Sequence, residues 1–212
     1  MNAAAAPRLE FWFEFGSNYS YLALMRIEGL AHQAGVEIAW KPFLLGPVFR
    51  ELGWPESPFV VQKEKGRYVW RDMVRQAEKY DLPFSRPSVF PRLSVLPARV
   101  ALCGAQQAWI GAFCREVMLQ NFLYDLDIND EENVRRALRH AGADPEQVLP
   151  HAGSEPNKLA LRRQTEEARR RGIFGAPMFF VGDEMFWGND RLEDALEWAR
   201  QAKVCPRGVA ST

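Results

Sequence analysis

Two hydroxyls, Ser17 and Ser20, lie three residues apart in the stretch FEFGSNYSYLA at residues 13–23, the spacing of the two cysteines in a C-x-x-C redox pair. An apolar strand-like run breaks at Gly16, and a helix-like run begins just after Ser17. A serine in that place has two uses. It caps the helix, which contributes about 1 kcal/mol. Alternatively its hydroxyl, at a helix N-terminus that favours anions, donates to the sulfur of a bound thiol. A free thiol has a pKa near 8.5, and lowering it by about two units takes roughly 2.7 kcal/mol. One hydrogen bond to a charged acceptor is worth about 1.5–3 kcal/mol and the helix dipole about 0.3–1, so the magnitudes suffice. Serine-hydrolase chemistry is not supported: GSNYS is no G-x-S-x-G elbow, and His32, His140 and His151 have no evident partner.

A second signal is Phe174-Gly175-Ala176-Pro177-Met178, directly before another apolar run. A proline at the first residue of a strand is a plain edge stop. If its peptide bond is cis, the backbone of Ala176 is exposed for strand-like pairing with an extended peptide.

The elements that must position these residues follow from periodicity. Leu9, Phe11, Phe13 and Phe15 alternate along residues 9–15, a strand signal. A helix follows, with Ala23, Ile27, Leu30, Ala31 and Ala34 as its apolar stripe, ending at Gly35. Residues 36–40 alternate again and are stopped by Pro42, which makes a right-handed parallel strand–helix–strand unit. Near the other end, PMFFVGDEMFWG reads as two short strands joined around Gly182-Asp183, and RLEDALEWARQAK as a closing helix. Between these ends helices are expected near 66–80, 95–122, 131–141 and 156–172, separated by proline-rich links such as SRPSVFPRL. The pattern predicts an α/β protein with one small mixed sheet and a helical insertion. Its sheet unit is expected over 8–43 and 173–203, its insertion over 44–172.

Composition narrows the function classes. The 27 basic and 27 acidic residues cancel, so no global field draws nucleic acid or anionic membrane. The run Arg169–Arg171 follows Glu166 and Glu167 and reads as a solvated helix face. No apolar run approaches membrane-spanning length, and the start lacks the features of a secretion signal. Cys103, Cys114 and Cys205 form no C-x-x-C and no metal-ligand cluster, which fits a reducing cytoplasm; Cys103 and Cys114 are expected to pack in a core rather than to bridge.

Taken together, FGSNYSYLA, KPFLLG at 41–46, KGRYVWRD at 65–72 and GAPMFFVGDEMFWGNDRL at 175–192 resemble the kappa-class glutathione transferases and the 2-hydroxychromene-2-carboxylate isomerases. The resemblance runs from about residue 9 to residue 200 and implies a thioredoxin-like βαβ…ββα sheet with a DsbA-like helical insertion. It also implies a glutathione cofactor, a small aromatic substrate and a homodimer. Ser17 matches the serine that stabilises the glutathione thiolate, and Asn18 and Tyr19 share its motif. Ala176, before a presumed cis Pro177, matches the residue whose backbone pairs with the cysteinyl unit. Asn189 and Asp190 match the site for the γ-glutamyl end, and Lys65 a lysine reaching the tripeptide or the substrate. One departure stands out: Gly53-Trp54-Pro55 replaces a family Gly-Asn, so one polar contact is lost. With serines at both thiol positions the protein cannot run dithiol exchange on itself, and the reactive sulfur arrives with the cofactor.

The implied activity is glutathione-dependent isomerisation of a 2-hydroxychromene-2-carboxylate-type intermediate of aromatic degradation, by reversible thiolate addition. A transferase that leaves the conjugate attached and a non-catalytic glutathione-binding or scaffold protein are the alternatives. Trp54 and Trp187 are candidates for a substrate pocket, whereas Trp12, Trp40, Trp109 and Trp198 are expected in the core. Lys41 and Arg99 are either anchors for a substrate carboxylate or solvated surface. LYDLDINDEEN lacks the glycine and glutamate of a calcium loop, and Asn129 or Asp130 as a helix cap accounts for it.

Overall fold

The computed structural model describes residues 6–55 and 57–202. Alternation along β1 (Arg8–Phe13) sends Leu9, Phe11 and Phe13 into one core and Trp12 into another on the opposite face. Helix α1 (Asn18–Ala34) crosses over that first face and returns the chain to β2 (Glu37–Pro42), which runs parallel to β1 with Phe11 beside Trp40. Gly35 closes α1 with φ 63°, the left-handed conformation that a C-terminal cap requires and glycine adopts at little cost.

The chain comes back to the sheet at β3 (Met178–Val181), antiparallel to β1, and turns at Gly182 into β4 (Glu184–Trp187). The strand order is β2-β1-β3-β4. A 3₁₀ turn at Asn189–Arg191 then leads into α10 (Leu192–Ala202), which packs beside α1. Phe11 stacks on Phe13 at 4.9 Å and on Phe179 at 5.4 Å, tying β1 and β3 together. Burying each such ring contributes about 1.5–3 kcal/mol.

Between β2 and β3 lie α2 (Leu45–Glu51), α3 (Pro58–Val61), α4 (Lys63–Lys79), α5 (Val95–Cys103), α6 (Ile110–Phe122), α7 (Glu131–His140), α8 (Pro145–Gly153) and α9 (Glu155–Arg170). The single helix expected over 95–122 is two. The chain turns after Gly104, where a side chain would collide with the ring of Trp109 folded over it. The first strand ends at Phe13 rather than Phe15, because β2 stops opposite it and the carbonyl of Glu14 accepts from Ser17 N to make a turn. Helices α2, α3 and α8 lie outside the segments expected to be helical. Asp130 caps α7, accepting from Asn133 N at 3.0 Å, while Asn129 accepts from Leu96 N.

Cys114 is fully buried and Cys103 packs against the same core, both as free thiols; Cys205 and Lys203, the end of the expected closing helix and sheet unit, lie outside the described residues. Trp12 and Trp40 are core and Trp109 is half-buried, but Trp198 is 39% exposed, lying over Phe186 on the outer side of α10. A helical stripe read from sequence does not say how far the neighbouring strand extends to cover its edge. Among the described residues no helix is long and apolar enough to cross a membrane, and no His, Cys, Asp and Glu side chains cluster as metal ligands.

Candidate active site

Ser17 is the N-cap of α1, its Oγ accepting from Ser20 N at 3.2 Å. The same hydroxyl donates to the carbonyl of Ala176 at 3.0 Å, across the gap between the start of α1 and the approach to β3. The Ala176–Pro177 bond is cis. Capping and outward donation are therefore not exclusive. The lone pairs of Ser17 serve the helix, and its proton faces the segment before β3.

In front of this pair opens a cleft of about 1330 Å³. One wall is apolar, from α2, α3 and the links around them: Leu45, Phe49, Trp54 and Phe59. Another is the loop before α5, where Arg92 reaches Asn121 Oδ1 at 3.0 Å and Asp125 Oδ1 at 2.6 Å. Asn121 in turn donates to the carbonyl of Phe15 at 2.9 Å, so this loop is tied to the turn that carries Ser17. A third wall is Phe174, Ala176 and Trp187, the first and last in edge contact at 4.8 Å.

At the edge of this cleft lies Glu14, 8% exposed, the carboxylate accepting from Ser94 Oγ and from the Gly16 amide. Burial outweighs those bonds and pushes its pKa up to about 7. Tyr19 donates to Asp72 Oδ2 at 2.7 Å; burial first, then that bond, raises its pKa.

A domain described as a DSBA-like thioredoxin domain matches residues 8–197. The chain belongs to the DsbA-like thioredoxin family. Within reach of this DsbA-like chain are a 2-hydroxychromene-2-carboxylate isomerase of Sphingobium xenophagum, 31% identical over 87% of this chain and 94% of that protein. Glutathione S-transferase kappa 1 of Caenorhabditis elegans is 24% identical over 94% of each. A solved 2-hydroxychromene-2-carboxylate isomerase superposes with a TM-score of 0.82 at 26% identity, covering 95% of this chain and all of that one.

The DsbA-like fold brings most of the expected residues to one cleft: Ser17, Asn18, Tyr19, Trp54, Lys65, Ala176, Trp187, Asn189 and Asp190 all line it. Asn18 is 1% exposed, and among the described residues its Nδ2 has no hydrogen-bond partner. Asn189 is buried and its Oδ1 is taken by Arg26. Pro177 is buried behind the wall, its carbonyl accepting from Gly188 N at 3.1 Å. Lys41 lies elsewhere. It lines a separate recess of about 700 Å³ along β2 with Arg8, Trp40 and Gln107, and its ammonium lies 5.7 Å from the centre of the Trp12 ring. Arg99 belongs to α5 and lines neither cavity, its Nε buried without a partner among the described residues.

Glu14, Ser94, Arg50 and Asp72 are cleft residues the motifs did not single out. Glu14 alone had a signal: it is the charged residue interrupting the aromatic run just before Gly16-Ser17.

Proposed function

We propose that the protein is a glutathione-dependent isomerase of 2-hydroxychromene-2-carboxylate-type compounds. The observation that carries this reading is the Ser17 hydroxyl, at the start of α1 and 3.0 Å from the Ala176 carbonyl, at the edge of a cleft roomy enough for a tripeptide and an aromatic acid together. Support for the fit comes from the unpaired Asn18 Nδ2, since a buried donor without an acceptor costs about 1–3 kcal/mol that a polar ligand can recover. When bound, glutathione supplies a sulfur nucleophile that adds to the unsaturated substrate and later leaves, with no net redox change.

In this reading Ser17 turns its proton from Ala176 to the sulfur, and the freed Ala176 backbone pairs with the peptide. Asp190 and the turn around Asn189 receive the charged amino end, and Lys65 reaches an acidic end. Trp54, Phe49 and Trp187 hold an aromatic ring. A cytoplasmic homodimer belongs to the same reading.

The test is product analysis with glutathione and a chromene carboxylate. An isomerase gives a product of unchanged mass and turns over catalytically in glutathione. A product heavier by the tripeptide would make it a transferase, and turnover without glutathione would overturn the reading.

A further inference from the structure

Glu14 stands apart from every role assigned so far. It follows the last residue of β1, three positions before Ser17, and its own carbonyl holds the Ser17 amide at 3.1 Å. Its carboxylate lies against the α-carbon of Gly16: a β-carbon there would come to 3.0 Å from one oxygen and 3.4 Å from the other. The carboxyl therefore sits beside the residue that precedes Ser17, and it lines the same cleft. Ser94, the N-cap residue of α5, is 3% exposed and donates to it.

A buried carboxyl is costly, and this one is offset only by the Ser94 hydroxyl and the Gly16 amide. Among the described residues no salt bridge engages it: the causes acting on its titration are burial, Ser94 and the Gly16 amide, with no charged side chain among them. Arg92 stands two residues from Ser94, but its guanidinium is turned to Asn121 and Asp125. The other charged cleft residues, Arg50, Lys65, Asp72, Asp190 and Arg191, are not among the causes acting on it.

Resting on the glutathione reading, we infer that Glu14 is the proton carrier of the cleft, taking the thiol proton as the sulfur docks against Ser17 and returning it when the sulfur leaves. In the forward step the S–H bond breaks and an O–H bond forms on the Glu14 carboxyl, the electron pair staying on sulfur. The protonated carboxyl then gives that proton to the substrate oxygen that gains an electron pair as the C–S bond forms. Reversal restores both. A carrier works best when its own pKa lies near the working pH, and burial has brought this carboxyl there. A side chain at position 16 would press both on the Arg92 carbonyl and on the Glu14 carboxylate.

The experiment is calorimetric titration of the wild-type protein and Glu14→Gln with glutathione, in buffers of different ionisation enthalpy, at pH 6 and pH 8. At pH 8 the wild type keeps the thiol proton and releases little to buffer, while Glu14→Gln releases close to one per site. At pH 6, where Glu14 is already protonated, the two release alike. The variant's isomerase rate falls by roughly 10²–10⁴-fold. Should Glu14→Gln fail to fold, Ser94→Ala serves instead. Losing the hydroxyl that favours the charged carboxylate moves the pH at which proton release changes upward. Equal proton release at pH 8 by two proteins that both bind glutathione, or no such movement in Ser94→Ala, overturns the role of Glu14 alone. Absence of binding to the folded wild type overturns the glutathione reading, and this inference with it.

Discussion

Arg26 on α1 grips the turn at Asn189 twice, its Nη2 lying 2.7 Å from Asn189 Oδ1 and 3.1 Å from the Asn189 carbonyl. The guanidinium also lies 3.7 Å over the ring of Tyr80 and bonds Glu193 at 2.5 Å. The same helix is thus capped by Ser17 and anchors, farther along, the Asn189 turn that also lines the cleft.

Replacing Arg26 with Met keeps the stem and removes every donor. Asn189 then has a buried oxygen without a partner, which costs about 1–3 kcal/mol. We expect a drop of that size in urea unfolding and a raised KM for glutathione with a smaller change in kcat. An unchanged KM would show that the turn holds its shape without Arg26.

Ser17→Ala removes a cap and a donor together. Loss of the cap lowers stability by about 0.5–2 kcal/mol, so the variant folds. Loss of a hydrogen bond of about 1.5–3 kcal/mol to a bound sulfur anion lowers kcat/KM roughly ten- to 150-fold. Steady-state kinetics beside a thermal melt separates the two effects, and wild-type kinetics in the folded variant would count against any thiolate at this position.

Glu14 makes stability depend on pH in a definite direction. Its folded pKa of about 7 lies above the ordinary 4.5, so between those values the folded chain holds a proton that the unfolded chain has released. Stability from this group is complete below about pH 4.5 and lost as pH rises through about 7, a change of about 3 kcal/mol. Glu14→Gln, neutral throughout, lacks that loss. Urea unfolding at intervals from pH 4.5 to 8 should show the variant gaining on the wild type as pH rises. Parallel curves would mean that water reaches the carboxyl.

Gly175→Ala probes the aromatic wall. A β-carbon at 175 would come to 2.8 Å from Trp187 Nε1, so the indole must move off Phe174. Trp187 is 55% exposed and free to swing, and the stability change should stay within about 1 kcal/mol. The readout is weaker binding of the aromatic substrate with glutathione affinity retained. If both affinities hold, Trp187 is no part of the substrate wall.

The alternating apolar residues Leu9, Phe11 and Phe13, the Gly35 cap and the turn at Gly182 placed the strands and the first helix by themselves, because period and turn chemistry are local properties. The motif serine was legible as a helix cap and Gly-Ala-Pro as a strand entry, both local signals, whereas the GND segment was legible only through the family resemblance. Tertiary structure alone decided which side chains meet. It set the Ser17 hydroxyl against the Ala176 carbonyl, 159 residues away in sequence, and placed Lys41 in a recess separate from the cleft. It also closed Ser94 over Glu14, 80 residues apart, and so made an ordinary glutamate into a carboxyl that titrates near neutrality. Burial belongs to the assembled surroundings of a residue, and no window of sequence contains them.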